Sequence, residues 1–355
     1  MLVNNEFASS VRHYIYSRNF KMMQILYLIG NGFDISLGLE TRYTDFCTFY
    51  QKIETQKTVL QKLKNNIKFG VETWADLELR LGEYTDDLKS YEEFTEIYDD
   101  LLEKFGDYLQ DTEDSVDWNL LNAEKFKQYL CNPERSLMQR EINEITAFKD
   151  NFAKNVWNID IITFNYTRTI EKILDEKFTD VVLGSHHTTV NNILLRKVLH
   201  IHGDLSNMVL GVNDKSQIKN KEFHTNSKLI KAFIKEYNNR RQGHTVDEIL
   251  AKKISQSDII CIFGSSLGET DKIWWQKIGQ HLLEAPESIL IIYTFVEITP
   301  KRAIHKKGDF EDDLRERFYQ LANVNEKEQE GVGDRIYIRA NTNMFSALIK
   351  EKAKR

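Results

Sequence analysis

Short runs rich in apolar residues recur along the chain, separated by polar stretches with helical spacing. The first run, Ile25 to Ile29, is followed by Gly30-Asn31-Gly32 and then by polar, helix-compatible sequence. Similar runs lie at Trp157 to Phe164, Val198 to Ile201 and Asp258 to Gly264. Strands covered by helices on both faces have this pattern. The alternation predicts an α/β fold with a doubly wound parallel sheet.

Further segments complete the predicted elements. Ser288 to Phe295 and Arg335 to Ile338 predict two more strands, and Met208 to Val212 predicts a small one. Residues 213–256 are interpreted as helical with an exposed loop at residues 238–244. The polar stretch from Glu328 to Gly333 is interpreted as a loop.

A long helical stretch interrupts the strand pattern. Residues 51–155 have helical spacing throughout and almost no strand-like alternation. We therefore predict a helical insertion or cap at residues 51–155 and a core made of residues 22–50 and 156–355. Residues 1–21 precede the first strand and are predicted to be a peripheral N-terminal extension.

Composition narrows the class of protein. The chain has 355 residues, of which 41% are hydrophobic and 29% charged, as in a soluble globular protein. Its net charge of −6 gives no strong nucleic-acid signal. No apolar run approaches the roughly 18 residues that a membrane span needs. Cys47, Cys131 and Cys261 lie too far apart for a disulfide framework or zinc motif, which fits a cytoplasmic location.

Polar motifs follow four of the predicted strands. They are Gly30-Asn31-Gly32, Asn165-Tyr166-Thr167, His202-Gly203-Asp204 and Gly264-Ser265-Ser266. Parallel strands place their carboxyl ends at one edge of the sheet, where open α/β sheets bind ligands. Any one motif is equally consistent with a structural turn, but the four together predict a ligand crevice.

The opening motif resembles the bacteriophage abortive infection AbiH family. Members of that family begin with Ile-Gly-Asn-Gly-Phe-Asp, which stands here from Ile29 to Asp34 and is followed by Gly38-Leu39. The segments Trp74 to Glu78, Phe164 to Thr167 and Ser266 to Asp271 also fit the family, so the resemblance covers nearly the whole chain. It implies antiphage defence by abortive infection, with a phage-derived trigger as a partner. A homo-oligomer is left open.

The strand-end motifs are also similar to those of sirtuins. Gly30-Asn31-Gly32 looks like the sirtuin Gly-Ala-Gly, His202-Gly203 matches the catalytic His-Gly, and Gly264 to Leu267 looks like Gly-Thr-Ser-Leu. This similarity implies a sirtuin-like, Rossmann-like core with NAD⁺ as substrate or ligand. The chain lacks the two cysteine pairs of the sirtuin zinc site, so no metal is expected. NAD⁺ hydrolysis is the better expectation than deacylation.

The sirtuin resemblance implies a role for each motif. His202 would activate a water as general base, and Asn165 would orient that water or a ribose hydroxyl. The backbone N–H groups of Gly30-Asn31-Gly32 would face the pyrophosphate, and Ser265 and Ser266 would bind phosphate or ribose. The implied ligand-binding residues are Gly30, Asn31, Gly32, Asp34, Thr167, Gly203, Gly264, Ser265 and Ser266.

Other interpretations remain open for the same residues. His202 is also consistent with a buried histidine bonded to a backbone carbonyl, and Asn165 with an asparagine turn. Asp34 would contact a ribose hydroxyl or cap the loop. His200, His202 and Asp204 have the spacing of a metallohydrolase ligand set. A third class is a non-catalytic nucleotide sensor or partner-binding defence protein, because a fold does not establish activity.

Four acidic residues and one histidine are given structural interpretations. Asp76 and Glu78 begin a helix and are interpreted as solvated acids favoured by the helix dipole, with the wall of a site as the alternative. Glu269 and Asp271 are interpreted as caps of the helix that begins near Ile273, with a substrate or partner role second. His200 is interpreted as structural.

Overall fold

The computed structural model describes residues 22–186, 192–243, 245–300, 302–303, 305–346 and 348–349. The predicted N-terminal extension, residues 1–21, lies outside the described residues. Within those ranges, no helix has both the length and the apolar character needed to cross a membrane.

The described strands form one sheet. They are β1 Met23–Ile29, β2 Trp157–Thr163, β3 Thr179–Gly184, β4 Ile193–His200, β5 Ile259–Phe263, β6 Ile289–Thr294 and β7 Ile336–Ala340. Their order is β3-β4-β2-β1-β5-β6-β7. All neighbouring pairs are parallel except β3 and β4, which are antiparallel. A mostly parallel α/β sheet is confirmed, but the antiparallel edge strand β3 departs from the wholly parallel sheet that was predicted.

Helices connect most of the strands. They are α1 Gly32–Ser36, α2 Tyr43–Tyr50, α3 Thr58–Phe69, α4 Leu77–Tyr84, α5 Tyr91–Asp114, α6 Ala123–Cys131, α7 Gln139–Asp150, α8 Thr169–Ile173, α9 Ser227–Phe233, α10 Lys235–Arg241, α11 Val246–Gln256, α12 Lys272–Glu284, α13 His305–Ala322 and α14 Glu326–Val332.

Three local predictions are wrong. Residues 208–212 form no strand and contribute an isolated bridge from Val212 to Ile234. Residues 328–332 belong to α14, which starts because the Asn325 side chain accepts the amide hydrogens that begin the helix. The predicted loop at residues 238–244 is helical through Arg241, because Asn238 and Asn239 are buried and their amides bond inside the protein.

The sheet is covered on both faces, which explains the apolar character of its central strands. Tyr27 of β1 lies in a core with residues of α6 and α7. Leu28, pointing the other way, lies in a second core with residues of α11, α12 and α13. Every residue of β2 is buried. The sheet is therefore a rigid frame whose strand ends have fixed positions.

Helices α2 to α5 form a third core beside the strand ends, together with residues 208–234. In α5, Phe94, Leu101 and Phe105 repeat at helical spacing and are buried. The Tyr98 hydroxyl donates to the Leu210 carbonyl at 2.7 Å, which ties α5 to the chain that follows β4. We call α2 to α5 with residues 208–234 the helical unit. Helices α6 and α7 pack on the sheet instead, and the predicted domain boundaries stay a prediction.

Candidate functional site

The strand register brings the four predicted motifs together. Ile29 pairs with Thr163 on one side and with Phe263 on the other, and Thr163 pairs with His200. A cavity of about 270 Å³ lies at this edge, and the helical unit forms its opposite wall. Its lining includes Gly30, Asn31, Asp34, Arg42, Asp76, Glu78, Phe105, Asn165, Tyr166, Thr167, His202, Gly264, Ser265, Ser266 and Asp271. The predicted crevice is present, and each motif contributes to it.

The glycines of the first motif allow two loops to approach each other closely. The Gly30 N–H donates to the Phe263 carbonyl at 2.9 Å, and the Gly32 N–H donates to the Gly264 carbonyl at 2.8 Å. A Cβ on Gly32 would lie 2.6 Å from the Gly264 Cα. The prediction that the N–H groups of Gly30 and Gly32 face a pyrophosphate is therefore wrong, because both are used inside the protein.

The substitution Gly32→Ala is expected to lower the free energy of unfolding by about 1–3 kcal/mol, since overpacking a backbone contact forces both loops apart. The melting temperature measures this effect. Gly308→Ala is the matched control, because Gly308 lies in α13 and a Cβ added there would meet no described residue outside its own helix turn within 4 Å. It should be neutral or stabilising, and equal effects of the two substitutions would contradict the contact argument.

Three further predicted ligand residues have structural partners. The Asn31 side chain closes the loop to Thr41, donating to its carbonyl at 2.8 Å and accepting from its hydroxyl at 2.5 Å. Gly203 has a φ of +73°, which makes a turn, and it is not among the lining residues. The Ser265 hydroxyl accepts from the Leu267 N–H at 3.1 Å. Asn31 and Ser265 still line the cavity.

His202 is the end of a buried chain of charged groups. Its Nε2 lies 2.8 Å from Asp271 Oδ1, and the same oxygen is 3.0 Å from Lys235 Nζ. Lys235 also lies 2.7 Å from Glu78 Oε2, and it is only 7% exposed. Glu78 Oε1 accepts from the Gly211 N–H at 3.1 Å. We call Glu78, Lys235, Asp271 and His202 the charge chain. It joins the helical unit to the strand ends.

Burial and mutual charge set the protonation of the charge chain. Burial would raise the pKa of Asp271, but Lys235 and His202 hold it well below its usual value, so Asp271 is ionised. Burial and the positive charge of Lys235 lower the pKa of His202 despite Asp271. Burial raises the pKa of Glu78 to about 7 against the pull of Lys235. At neutral pH His202 is therefore a neutral imidazole that donates Nε2–H to Asp271.

A second polar group lies around Asp34, which is fully buried. Its Oδ2 accepts a hydrogen bond from the Thr167 hydroxyl. Burial raises the pKa of Asp34 to about 6, and the Thr167, Thr169 and Asn165 side chains limit that rise. Asp34, Asn165 and Thr167 all line the cavity, so two predicted ligand residues of the second motif lie beside Asp34, which follows the first motif.

His200 holds the loop that carries Asn165. Its Nδ1 lies 2.7 Å from the Asn165 carbonyl and its Nε2 lies 2.8 Å from Glu171 Oε1. Burial works against its charged form, but the hydrogen bond and charge of Glu171 outweigh it and raise the pKa of His200. The structural interpretation of His200 fits these contacts.

The metallohydrolase alternative does not fit the geometry. Both ring nitrogens of His200 bond to protein groups, and Asp204 Oδ1 accepts from the N–H and hydroxyl of Ser206 at 2.9 and 2.6 Å. Across the part of the chain that the structure describes, no group of three or more His, Cys, Asp or Glu side chains is arranged to hold a metal ion. His200, His202 and Asp204 do not assemble as one ligand set.

Sequence reasoning missed most of the charge chain. Asp271 does not cap α12 with its side chain, because its carboxylate bonds to His202 and Lys235. Glu78 is 4% exposed and is not a solvated acid, whereas Asp76 does cap α4 by accepting the Leu79 N–H at 3.0 Å. Lys235 had no assigned role. The acids at Trp74–Glu78 and Ser266–Asp271 stood within motifs already singled out, which was the signal available.

The molecule is thus an α/β protein with a polar cavity at the carboxyl ends of four parallel strands. The sequence model of the family described as Bacteriophage abortive infection AbiH matches residues 26–293. The chain therefore belongs to the AbiH family, whose name associates it with abortive infection of phage-infected cells. A comparison with curated proteins found no match.

Proposed function

We propose that the chain binds NAD⁺ or a related nucleotide at the strand-end cavity and hydrolyses its nicotinamide–ribose bond during phage infection. The observation that carries this proposal is His202, a neutral imidazole oriented by Asp271 in a cavity shared with Asn165 and Asp34. A general base needs this arrangement, because an acceptor on its second nitrogen makes the first one available to a proton.

The proposed reaction consumes one water. The bond between ribose C1′ and the nicotinamide nitrogen breaks, and its electron pair leaves with nicotinamide, which becomes neutral. Positive charge then develops on the sugar ring as in other glycosidic cleavages. Water attacks C1′ and transfers a proton to Nδ1 of His202, from which it passes to solvent. The products are ADP-ribose, nicotinamide and one proton.

The other cavity residues have distinct roles in this proposal. The Asp34 carboxylate, ionised above a pH of about 6, would stabilise the positive charge on the sugar. The Asn165 amide would orient the water or the sugar, and the His200 contact to the Asn165 carbonyl would keep that loop in place. The helical unit would limit the access of bulk water from the opposite wall.

The test is NAD⁺ content in bacteria that express the chain and are infected with phage. Wild type is expected to deplete NAD⁺ on infection, and His202→Gln should reduce the rate at least a hundredfold, within the range typical of a lost general base. His224→Gln is the matched control, because His224 contacts the Ile218 carbonyl and does not line the cavity. It should behave as wild type.

The same measurement separates the two functions that the residues support. Phage protection without NAD⁺ loss, abolished by His202→Gln, would contradict hydrolysis and favour a nucleotide sensor. Equal protection by wild type and His202→Gln would contradict any role of this cavity. Infection supplies the trigger in each case, so the protein is tested in its active state.

A further inference from the structure

Three residues that line the cavity each carry a buried acceptor atom whose hydrogen-bonding capacity is unused. The atoms are Asp34 Oδ1, Asn165 Oδ1 and His202 Nδ1, and none has a hydrogen-bond partner among the described residues. The parent residues are 0%, 7% and 5% exposed. Buried polar atoms are nearly always paired, and an unpaired one costs about 1–3 kcal/mol. Three such atoms around one cavity therefore indicate a ligand that brings hydrogen-bond donors.

The charges of the lining residues also favour a ligand that brings hydrogen-bond donors. Asp34, Asp76, Glu78 and Asp271 are acidic residues that line the cavity, whereas its cationic lining residue, Arg42, is exposed. Lys235 does not line the cavity and is held by two carboxylates. A phosphate offers hydrogen-bond acceptors and negative charge. The unpaired acceptors of the cavity could not bond to it, and the acidic residues would repel it. The N–H groups of Gly30 and Gly32, which could have offset this, donate to protein carbonyls.

We propose that the inner cavity recognises the hydroxyl-bearing sugar of a nucleoside through Asp34, Asn165 and His202, and that phosphate groups stay outside it beside Arg42. Vicinal ribose hydroxyls supply two donors, and a cationic base suits the acidic lining. This inference rests on the proposed nucleotide ligand and identifies the sugar as the part that the cavity recognises. A nucleoside, rather than a dinucleotide, is the minimal ligand.

Cavity size agrees with a nucleoside-sized group. The volume of about 270 Å³ lies just below the range of about 300–1,000 Å³ that is usual for pockets enclosing whole small-molecule ligands. One ribose with its base is the part of NAD⁺ that such a space would enclose. The remaining nucleotide would extend past Arg42 into solvent.

The experiment measures binding by calorimetry to the purified chain, with nicotinamide riboside, its 2′,3′-dideoxy form, nicotinamide mononucleotide and inorganic pyrophosphate as probes. The riboside and the mononucleotide are expected to bind within threefold of each other. The dideoxy form should bind at least tenfold more weakly, since each lost bond to a buried acceptor leaves that acceptor unpaired. Pyrophosphate should neither bind nor compete.

Variants assign the effect to the cavity. Asp34→Asn is expected to weaken riboside binding about tenfold and to leave the weak dideoxy binding unchanged. Asp204→Asn is the control, because Asp204 does not line the cavity. Competition by pyrophosphate, a mononucleotide preference above tenfold, equal binding of the riboside and its dideoxy form, or no riboside binding at all would each overturn the inference.

Failure of this inference is distinguishable from failure of the proposed function. Hydroxyl-dependent binding without NAD⁺ loss in infected cells would overturn hydrolysis and leave the sugar site standing. NAD⁺ loss that depends on His202, together with equal binding of the riboside and its dideoxy form, would overturn only the sugar site.

Discussion

Replacing Lys235 with methionine is expected to lower the free energy of unfolding by about 3–5 kcal/mol, the usual effect of removing one partner of a buried ion pair. Lys235, Glu78 and Asp271 have side chains that are 7%, 5% and 17% exposed. Methionine fills the space of the lysine stem but supplies no charge. At neutral pH Asp271 would then remain ionised in a poorly solvated position without its counter-ion, whereas Glu78, whose pKa burial already raises to about 7, would take up a proton.

The size of this loss can be checked by removing a carboxylate at the same time. In the double variant Lys235→Met with Asp271→Asn, the unpaired charge is gone, so part of the stability should return. Lys219→Met is the matched control, because the Lys219–Asp86 pair has side chains 63% and 54% exposed. Exposed pairs contribute little, and the control should change the melting temperature only slightly. Equal effects of Lys235→Met and Lys219→Met would contradict the buried charge chain.

A second readout of Lys235→Met follows from electrostatics at His202. The positive charge of Lys235 lowers the pKa of His202, and Asp271 opposes that effect. Without Lys235 only the carboxylate acts, so the pKa of His202 should rise. Its imidazole signal in a ¹H–¹⁵N spectrum, followed against pH, measures this directly. In the proposed reaction, nicotinamide release should then fall with acid at a higher pH than in wild type, because a protonated imidazole accepts no proton.

The structure also shows which parts of the site a sequence can predict. The position of His202, Asn165 and Gly264 at one edge follows from local signals, since each apolar run specifies a buried strand and parallel strands align their ends. β3 was missed because an edge strand buries little and its six residues carry only a short apolar run.

Contacts between distant segments were beyond sequence reasoning. Lys235 lies in a polar helix, and no local feature of the sequence marks it as the partner of Glu78. The two residues are 157 positions apart in the chain. The Gly30-Asn31-Gly32 turn has the composition of a phosphate loop, yet its donors bond to β5 and the following turn. Composition shows that a backbone approaches something closely, and only the fold shows what it approaches.

The substitution Asp34→Asn is expected to stabilise the protein at pH 7.5 by about 1–3 kcal/mol while abolishing the proposed turnover of NAD⁺. Burial raises the pKa of Asp34 from 3.8 to about 6, so the folded protein binds this proton more tightly than the unfolded chain does. A difference of that size corresponds to roughly 3 kcal/mol at a pH above both values. Asparagine keeps the acceptor for the Thr167 hydroxyl and removes the buried charge. Its amide hydrogens offset part of the gain.

The sign of the pH dependence makes this prediction specific. Wild type should lose the Asp34 contribution as the pH rises from about 4 through about 6, whereas the asparagine variant has no such group to ionise. The gap between their melting temperatures should therefore be small at pH 4.5 and largest above pH 7. Asp204→Asn should act in the opposite sense, because hydrogen bonds from Ser206 lower the pKa of Asp204 although burial opposes them.

A difference in melting temperature that stays constant across this pH range would show that burial does not raise the pKa of Asp34. A stabilised variant that still turns over NAD⁺ would separate its burial from the proposed chemistry. Stabilisation together with lost turnover is the expected result, because the buried carboxylate costs stability and would supply the negative charge that the proposed reaction uses.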